Sequence, residues 1–254
     1  MKSTVLIFSL LLASNSLLAQ AIVSNVYTWN QAPVVRHAGC EERTLLAGAT
    51  RDFSTFRVLG ITRPVNLPDA ALQQVAEETL IIVKAGELTL TLASKTKTLG
   101  PGSIALIMPG DSYRLDNHST RPLTYYLMQY RARQQPKPAP DSMAKGSMWV
   151  DWIDVAYQPH EKGGIRRLFD RSTVMAKRFE MHATTLSAGL WSHPPHTHRA
   201  AEILLPIDNK AQESIDGKLY PASTGDVIFL ESGVAHAIQN TSAVGCTYFA
   251  FQFE

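Results

Sequence analysis

Apolar and polar residues alternate along most of this 254-residue chain, in short runs rather than long ones. "GELTLTLAS" sets Leu88, Leu90 and Leu92 against polar neighbours, the two-residue period of a half-buried strand. "GSIALIMPGDSYRL" and "PLTYYLMQY" follow the same pattern between Gly and Pro turns. So do "AKRFEMHATTLSAG", "GDVIFL" and "TYFAFQF" further on. The last of these puts Phe249, Phe251 and Phe253 on one face, read as core, and Tyr248 and Gln252 on the other. Only "PDAALQQVAEE" hints at a turn of helix. The pattern predicts an all-β chain built from sandwiches or barrels.

The order of strands and turns occurs twice. Laying "LGPGSIALIMPGDSYRLDN" on "STGDVIFLESGVAHAIQN" puts Gly102 on Gly225, Gly110 on Gly233, Tyr113 on His236 and Asn117 on Asn240. Two copies of one β module follow, joined by the polar, proline-rich "RARQQPKPAPDSMAKGS". The boundaries read as residues 22–135 for the first module, 136–148 for the linker and 149–254 for the second. Trp149 and Trp152 begin the second module and are expected to pack between the halves.

Charge narrows the partners. The chain carries 24 Lys and Arg against 22 Asp and Glu, so nothing electrostatic favours nucleic acid or an anionic membrane. The first 21 residues read as a secretory signal peptide: Lys2, an apolar run from Val5 to Ala13, then Ala19-Gln20-Ala21. That run is shorter than the roughly 20 residues that span a bilayer, so export to a bacterial periplasm is expected, with no membrane attachment after cleavage. Cys40 and Cys246 are left open between a disulfide and two buried thiols.

Chemistry concentrates in "HPPHTHRAAE". His196, His198 and Glu202 are all even-numbered, so an uninterrupted strand would turn them to one face and Arg199 to the other. His236 lies just after the turn at Gly233. Three imidazoles and a carboxylate form a mixed nitrogen and oxygen donor set suited to divalent transition metals. His193 fits no place in the set and reads as a loop residue.

"HTHRAAE", as His-x-His-x3-Glu, and "GDVIFLESGVAHAIQN", as Gly-x5-Glu-x-Gly-x2-His-x3-Asn, together resemble the two signature motifs of the cupin superfamily. Asn209 stands where that family usually has a turn glycine, and Glu231 where it usually has proline. The resemblance implies two cupin jelly-roll β-barrels in one chain, a bicupin similar in organisation to ureidoglycine aminohydrolase-like proteins. It also implies one divalent ion (manganese, iron, nickel or zinc) on His196, His198, Glu202 and His236. Those four positions fall on Gln73, Val75, Thr79 and Tyr113 in the first module, with Glu78 one step away, so the first barrel is expected to hold no metal.

The function that follows is an exported metalloenzyme of isomerase, hydrolase or lyase type. It would act by Lewis-acid chemistry on a small polar substrate such as a sugar acid or another carboxylate. A non-catalytic binding protein and a dioxygenase stand as alternatives. Glu231, at the expected mouth of the pocket, is the candidate proton-transfer residue. The expected partners are the small-molecule substrate and, among macromolecules, a further copy of the chain.

Overall fold

Strands and tight turns carry the chain, as its alternation requires. The computed structural model describes residues 20–74, 76–134 and 146–254. Residues 1–19 of the expected signal peptide, Val75 and residues 135–145 around the expected linker lie outside the described residues. The first half contains β1 (Asn25–Tyr27), β2 (Val34–His37), β3 (Cys40–Gly48), β4 (Phe53–Arg63), β5 (Gln73–Gln74), β6 (Glu78–Ala85), β7 (Leu88–Leu92), β8 (Lys95–Leu99), β9 (Ile104–Ile107), β10 (Ser112–Asp116) and β11 (Leu123–Ala132). The second contains β12 (Met148–Val150), β13 (Gln158–His160), β14 (Gly163–Arg171), β15 (Phe179–Leu186), β16 (Ala201–Pro206), β17 (Lys210–Ile215), β18 (Lys218–Ser223), β19 (Val227–Leu230), β20 (His236–Asn240) and β21 (Cys246–Phe253). The helical turn expected at "PDAALQQVAEE" is replaced by the short strand β5, whose Gln73 pairs with Tyr113.

Each half sets a seven-stranded sheet over a smaller one. The first pairs β12-β9-β6-β11-β4-β3-β2 with β5-β10-β7-β8; the second pairs β1-β19-β16-β21-β15-β14-β13 with β18-β17-β20. The halves trade edges: β1 pairs with β19 of the second sheet, and β12 with β9 of the first. Edge backbone groups are thereby paired across the join instead of lying open.

Alternation along the strands creates three cores. One fills the first half with Leu59, Ile81, Leu90 and Leu115, and another fills the second with Leu204, Ile215, Ile228 and Ile238. The third lies between the two large sheets and draws on both halves, Phe56, Ile82 and Met128 meeting Phe229, Phe249 and Phe253. Phe249, Phe251 and Phe253 all point into it, as their parity predicts. Trp152 also packs at the join, edge-on to Phe249 at 5.8 Å between centroids. Arg199 bonds Asp52 in a bidentate pair at 2.7 Å, a second tie between the halves.

The repeat holds in detail at a constant spacing of 123 residues. Asn117 donates to the carbonyls of Arg121 and Arg63, and Asn240 donates to those of Val244 and Leu186. Gly110 and Gly233 both adopt positive φ, and Asn209 does so at 56° in the turn where the family pattern has glycine. Both cysteines are free: Cys40 is half-buried and Cys246 buried.

Candidate metal centre

The stretch before β16 is not the uninterrupted strand that parity assumed. His196 forms an isolated bridge with His236, and the chain then bends at Arg199 and Ala200 before β16 starts at Ala201. The bend brings both histidines back over Glu202 regardless. His196, His198 and His236 offer ring nitrogens within 4.8 Å of one another. Glu202 Oε2 lies 2.9 Å from His198 Nε2 and 3.1 Å from His236 Nε2. All four expected ligands therefore converge in the second half.

The outer bonds orient the rings. His198 Nδ1–H donates to the Ala200 carbonyl at 2.8 Å, and His236 Nδ1–H to the Val234 carbonyl at 2.9 Å. With Nδ1 so committed, Nε2 of each ring is the nitrogen turned toward Glu202. Both nitrogens of each ring thus face oxygen acceptors, a pattern that suits either a second proton or a cation at Nε2. A buried carboxylate with three inward imidazole nitrogens fits a divalent metal ion.

Electrostatics follows the geometry. Burial works to raise the Glu202 carboxyl, but bonds from His198 and His236 outweigh it and hold the group at about 2. The same bond to Glu202 raises His198, whereas burial, helped by neighbouring imidazoles, lowers His196. Without metal, Glu202 contributes stability fully above its ordinary value of 4.5 and loses it as pH falls toward about 2. His198 contributes fully below 6.5 and loses its contribution as pH rises through the raised folded value. A cation at Nε2 displaces the proton, so its stabilising effect strengthens with pH. Added Mn2+ is expected to raise the melting temperature more at pH 7.5 than at pH 5.5; equal shifts would place the ion away from these histidines.

A cavity of about 310 Å³ opens over the cluster. Glu202 and Gln252 line it, and the pairing of β16, β21 and β15 extends that row to Glu180. Two residues along β15, His182 lines the same cavity, and its Nδ1–H donates to Glu180 Oε1 at 2.8 Å. Tyr248 and Thr184 line it too, and burial keeps the Tyr248 hydroxyl protonated. On β17, paired with Ile238 of β20, Glu213 is fully buried. Burial, reinforced by the charge on Glu202, pushes its carboxyl well up.

Two expectations change. Glu231 does not line the cavity; its backbone N–H donates to Ser24 Oγ at 2.8 Å, because it closes β19 beside the N-terminal segment. His193 is more than a loop residue: it lines the cavity, with its ring 4.2 Å from that of His196 in a T-shaped contact. The His182–Glu180 couple was not singled out in the sequence. Its signal was the even parity of Glu180, His182 and Thr184 in β15, polar residues on the face that turns inward.

A family model described as the AraC-like ligand-binding domain matches residues 183–254. No curated protein matches the sequence. Among solved structures, AerE from Microcystis aeruginosa is similar with a TM-score of 0.64 and 15% identity, covering 88% of this chain and 97% of that one. Protein Ylba from E. coli is similar at 0.67 and 16%, covering 93% of each chain. The oxalate decarboxylase of Bacillus subtilis, a protein with Mn(II) centres, is similar at 0.69 and 11%, covering 91% of this chain and 78% of that one. At these identities the likeness shows the fold, an all-β cupin-type architecture.

Proposed function

We propose that this chain is a divalent-metal cupin enzyme that acts on a small carboxylate by proton transfer in the second barrel. The observation that carries the reading is one cavity lined by His196, Glu202 and His236 together with His182, with His198 bonded to Glu202 and Glu180 bonded to His182 behind that lining. His196, His198, Glu202 and His236 would hold the ion, which supplies Lewis-acid polarisation of a bound oxygen when present. Glu180 fixes the His182 tautomer by accepting from Nδ1–H, which leaves Nε2 as the atom that takes and returns a proton. Gln252 sits between the two centres, its amide 3.3 Å from His198 Nε2, placed to orient substrate. Lys162, bonded to the carbonyl of the cavity residue Ser192, adds a positive charge nearby that favours an anion.

Export supports a periplasmic substrate such as a sugar acid. The case for it rests on the N-terminal pattern and on Ile22, which is buried and donates to the Ala49 carbonyl where a mature chain would begin.

The test is to incubate metal-loaded protein with hydroxy, keto and sugar acids and to follow products by NMR. Turnover of at least one is expected. His182→Gln and Glu180→Gln are expected to lower it by about 10²–10⁴-fold and about 10-fold or more respectively, with metal content unchanged. The likeness to the AraC-like ligand-binding domain favours a second reading, metal-assisted binding without turnover. Thermal stabilisation by an acid that yields no product would decide for it.

A further inference from the structure

The constant spacing of the repeat allows the two cavities to be compared position by position. In the first half, Arg57–Gln129–Thr79 forms the row that Glu180–Gln252–Glu202 forms in the second, each pair 123 residues apart. Tyr113 pairs with Gln73 as His236 bridges to His196, again 123 residues apart. Where the row of the second half has two carboxylates, that of the first has a hydroxyl and a guanidinium. At the end position of the row a cation thus replaces an anion.

The first cavity is the larger of the two, about 620 Å³. Arg57 lines it and remains accessible there, with Nε donating to Gln129 Oε1 at 2.9 Å and a second guanidinium nitrogen donating to the same oxygen. Gln129 in turn donates to Thr79 Oγ1 at 3.3 Å. This string of bonds fixes the guanidinium against a neutral amide, and no carboxylate forms an ion pair with it among the described residues. Leu59 and Leu127 flank it with apolar surface. The other cavity charges are placed elsewhere: Arg63 faces Asp116 at 3.8 Å and bonds the Pro68 carbonyl, while Asp69 pairs with His118 at 3.0 Å. Glu42 lies beside Ile61, four residues along β4 from Arg57, or about 13 Å at strand spacing.

We propose that the first barrel, without metal ligands, is a second small-molecule site that binds an organic carboxylate on Arg57 and Gln129. An oriented guanidinium with one face free takes a carboxylate through paired N–H donors, and the leucines cover the body of the ligand. This site stands independently of any chemistry in the second barrel.

Calorimetric titration of the full chain with phenylacetate, glycolate and the neutral control phenylacetamide tests it. At least one carboxylate is expected to bind at about one per chain in Glu202→Ala, which removes carboxylate capture at the metal centre, and no more weakly in the wild type. Arg57→Leu and Gln129→Glu are each expected to weaken it about ten-fold or more. Gln129→Glu places a carboxylate on the guanidinium and decides the matter should Arg57→Leu fail to fold. No carboxylate binding, equal binding of the amide, indifference to both first-barrel substitutions, or loss in Glu202→Ala would each overturn the proposal.

Discussion

Glu202→Ala is expected to strip the second barrel of metal, with content after dialysis falling from about one ion per chain to near zero by elemental analysis. The carboxylate is the single anionic group in the donor set, and it touches two of the three imidazoles. Without it, three neutral rings face a divalent charge in a site that Glu202 and His236 line from the buried side, where an uncompensated charge is costly. Loss of an outer partner alone typically costs 10–100-fold in affinity, so loss of this ligand is expected to exceed about 100-fold. Metal-dependent turnover disappears with the ion, and so does the stabilisation that ligand binding gives, about 4 kcal/mol at a thousand-fold excess over the dissociation constant. Retention of one ion per chain would point to another donor group. The cluster of Asp69, Asp116 and His118 is poorly suited to that role, because Arg63 and Arg114 already sit on Asp116. Elemental analysis of Glu202→Ala therefore separates the two sites directly.

The donor set was legible because its residues lie in two local patterns whose spacing survives folding. His196 and His198 reach the site through a bend rather than along a strand, yet the outcome is the same: backbone bonds pair His196 with His236, and the His198 ring donates from Nδ1 to the Ala200 carbonyl. The repeat was equally legible, since Gly110 with Gly233 and Asn117 with Asn240 perform the same turn roles in each half. What stayed hidden depends on pairing between distant strands. Glu180 and His182 matter because β15 lies next to β21, which alone carries them toward Glu202. Arg57 acquires meaning through the same register in the other half. Glu231 misled for the converse reason: its place in the turn pattern suggested the cavity mouth, but β1 covers that edge and Ser24 engages its backbone.

The edge exchange and the shared core carry a consequence for stability, tested by Phe253→Ala. Phe253 is 1% exposed and packs its ring 5.4 Å from Phe53 and 5.1 Å from Phe56, both in the opposite half. It also meets Phe179 edge-on at 6.2 Å. Truncation removes a ring from the centre of the layer between the two large sheets and leaves a void that three aromatic neighbours cannot close. Phe→Ala changes of this kind cost about 3–5 kcal/mol. For a chain of this size that corresponds to a fall in melting temperature of roughly 6–20 °C. The form of the transition matters as much as its midpoint. Because the apolar layer belongs to both halves, and because β1 and β12 each complete the other half's sheet, neither half retains a covered sheet once its partner opens. A single calorimetric transition, shifted down as a whole, is therefore expected for both the wild type and Phe253→Ala. Two separated transitions, with only the later one moved, would show that the barrels fold as independent units and that the layer between them is a docking surface rather than a common core.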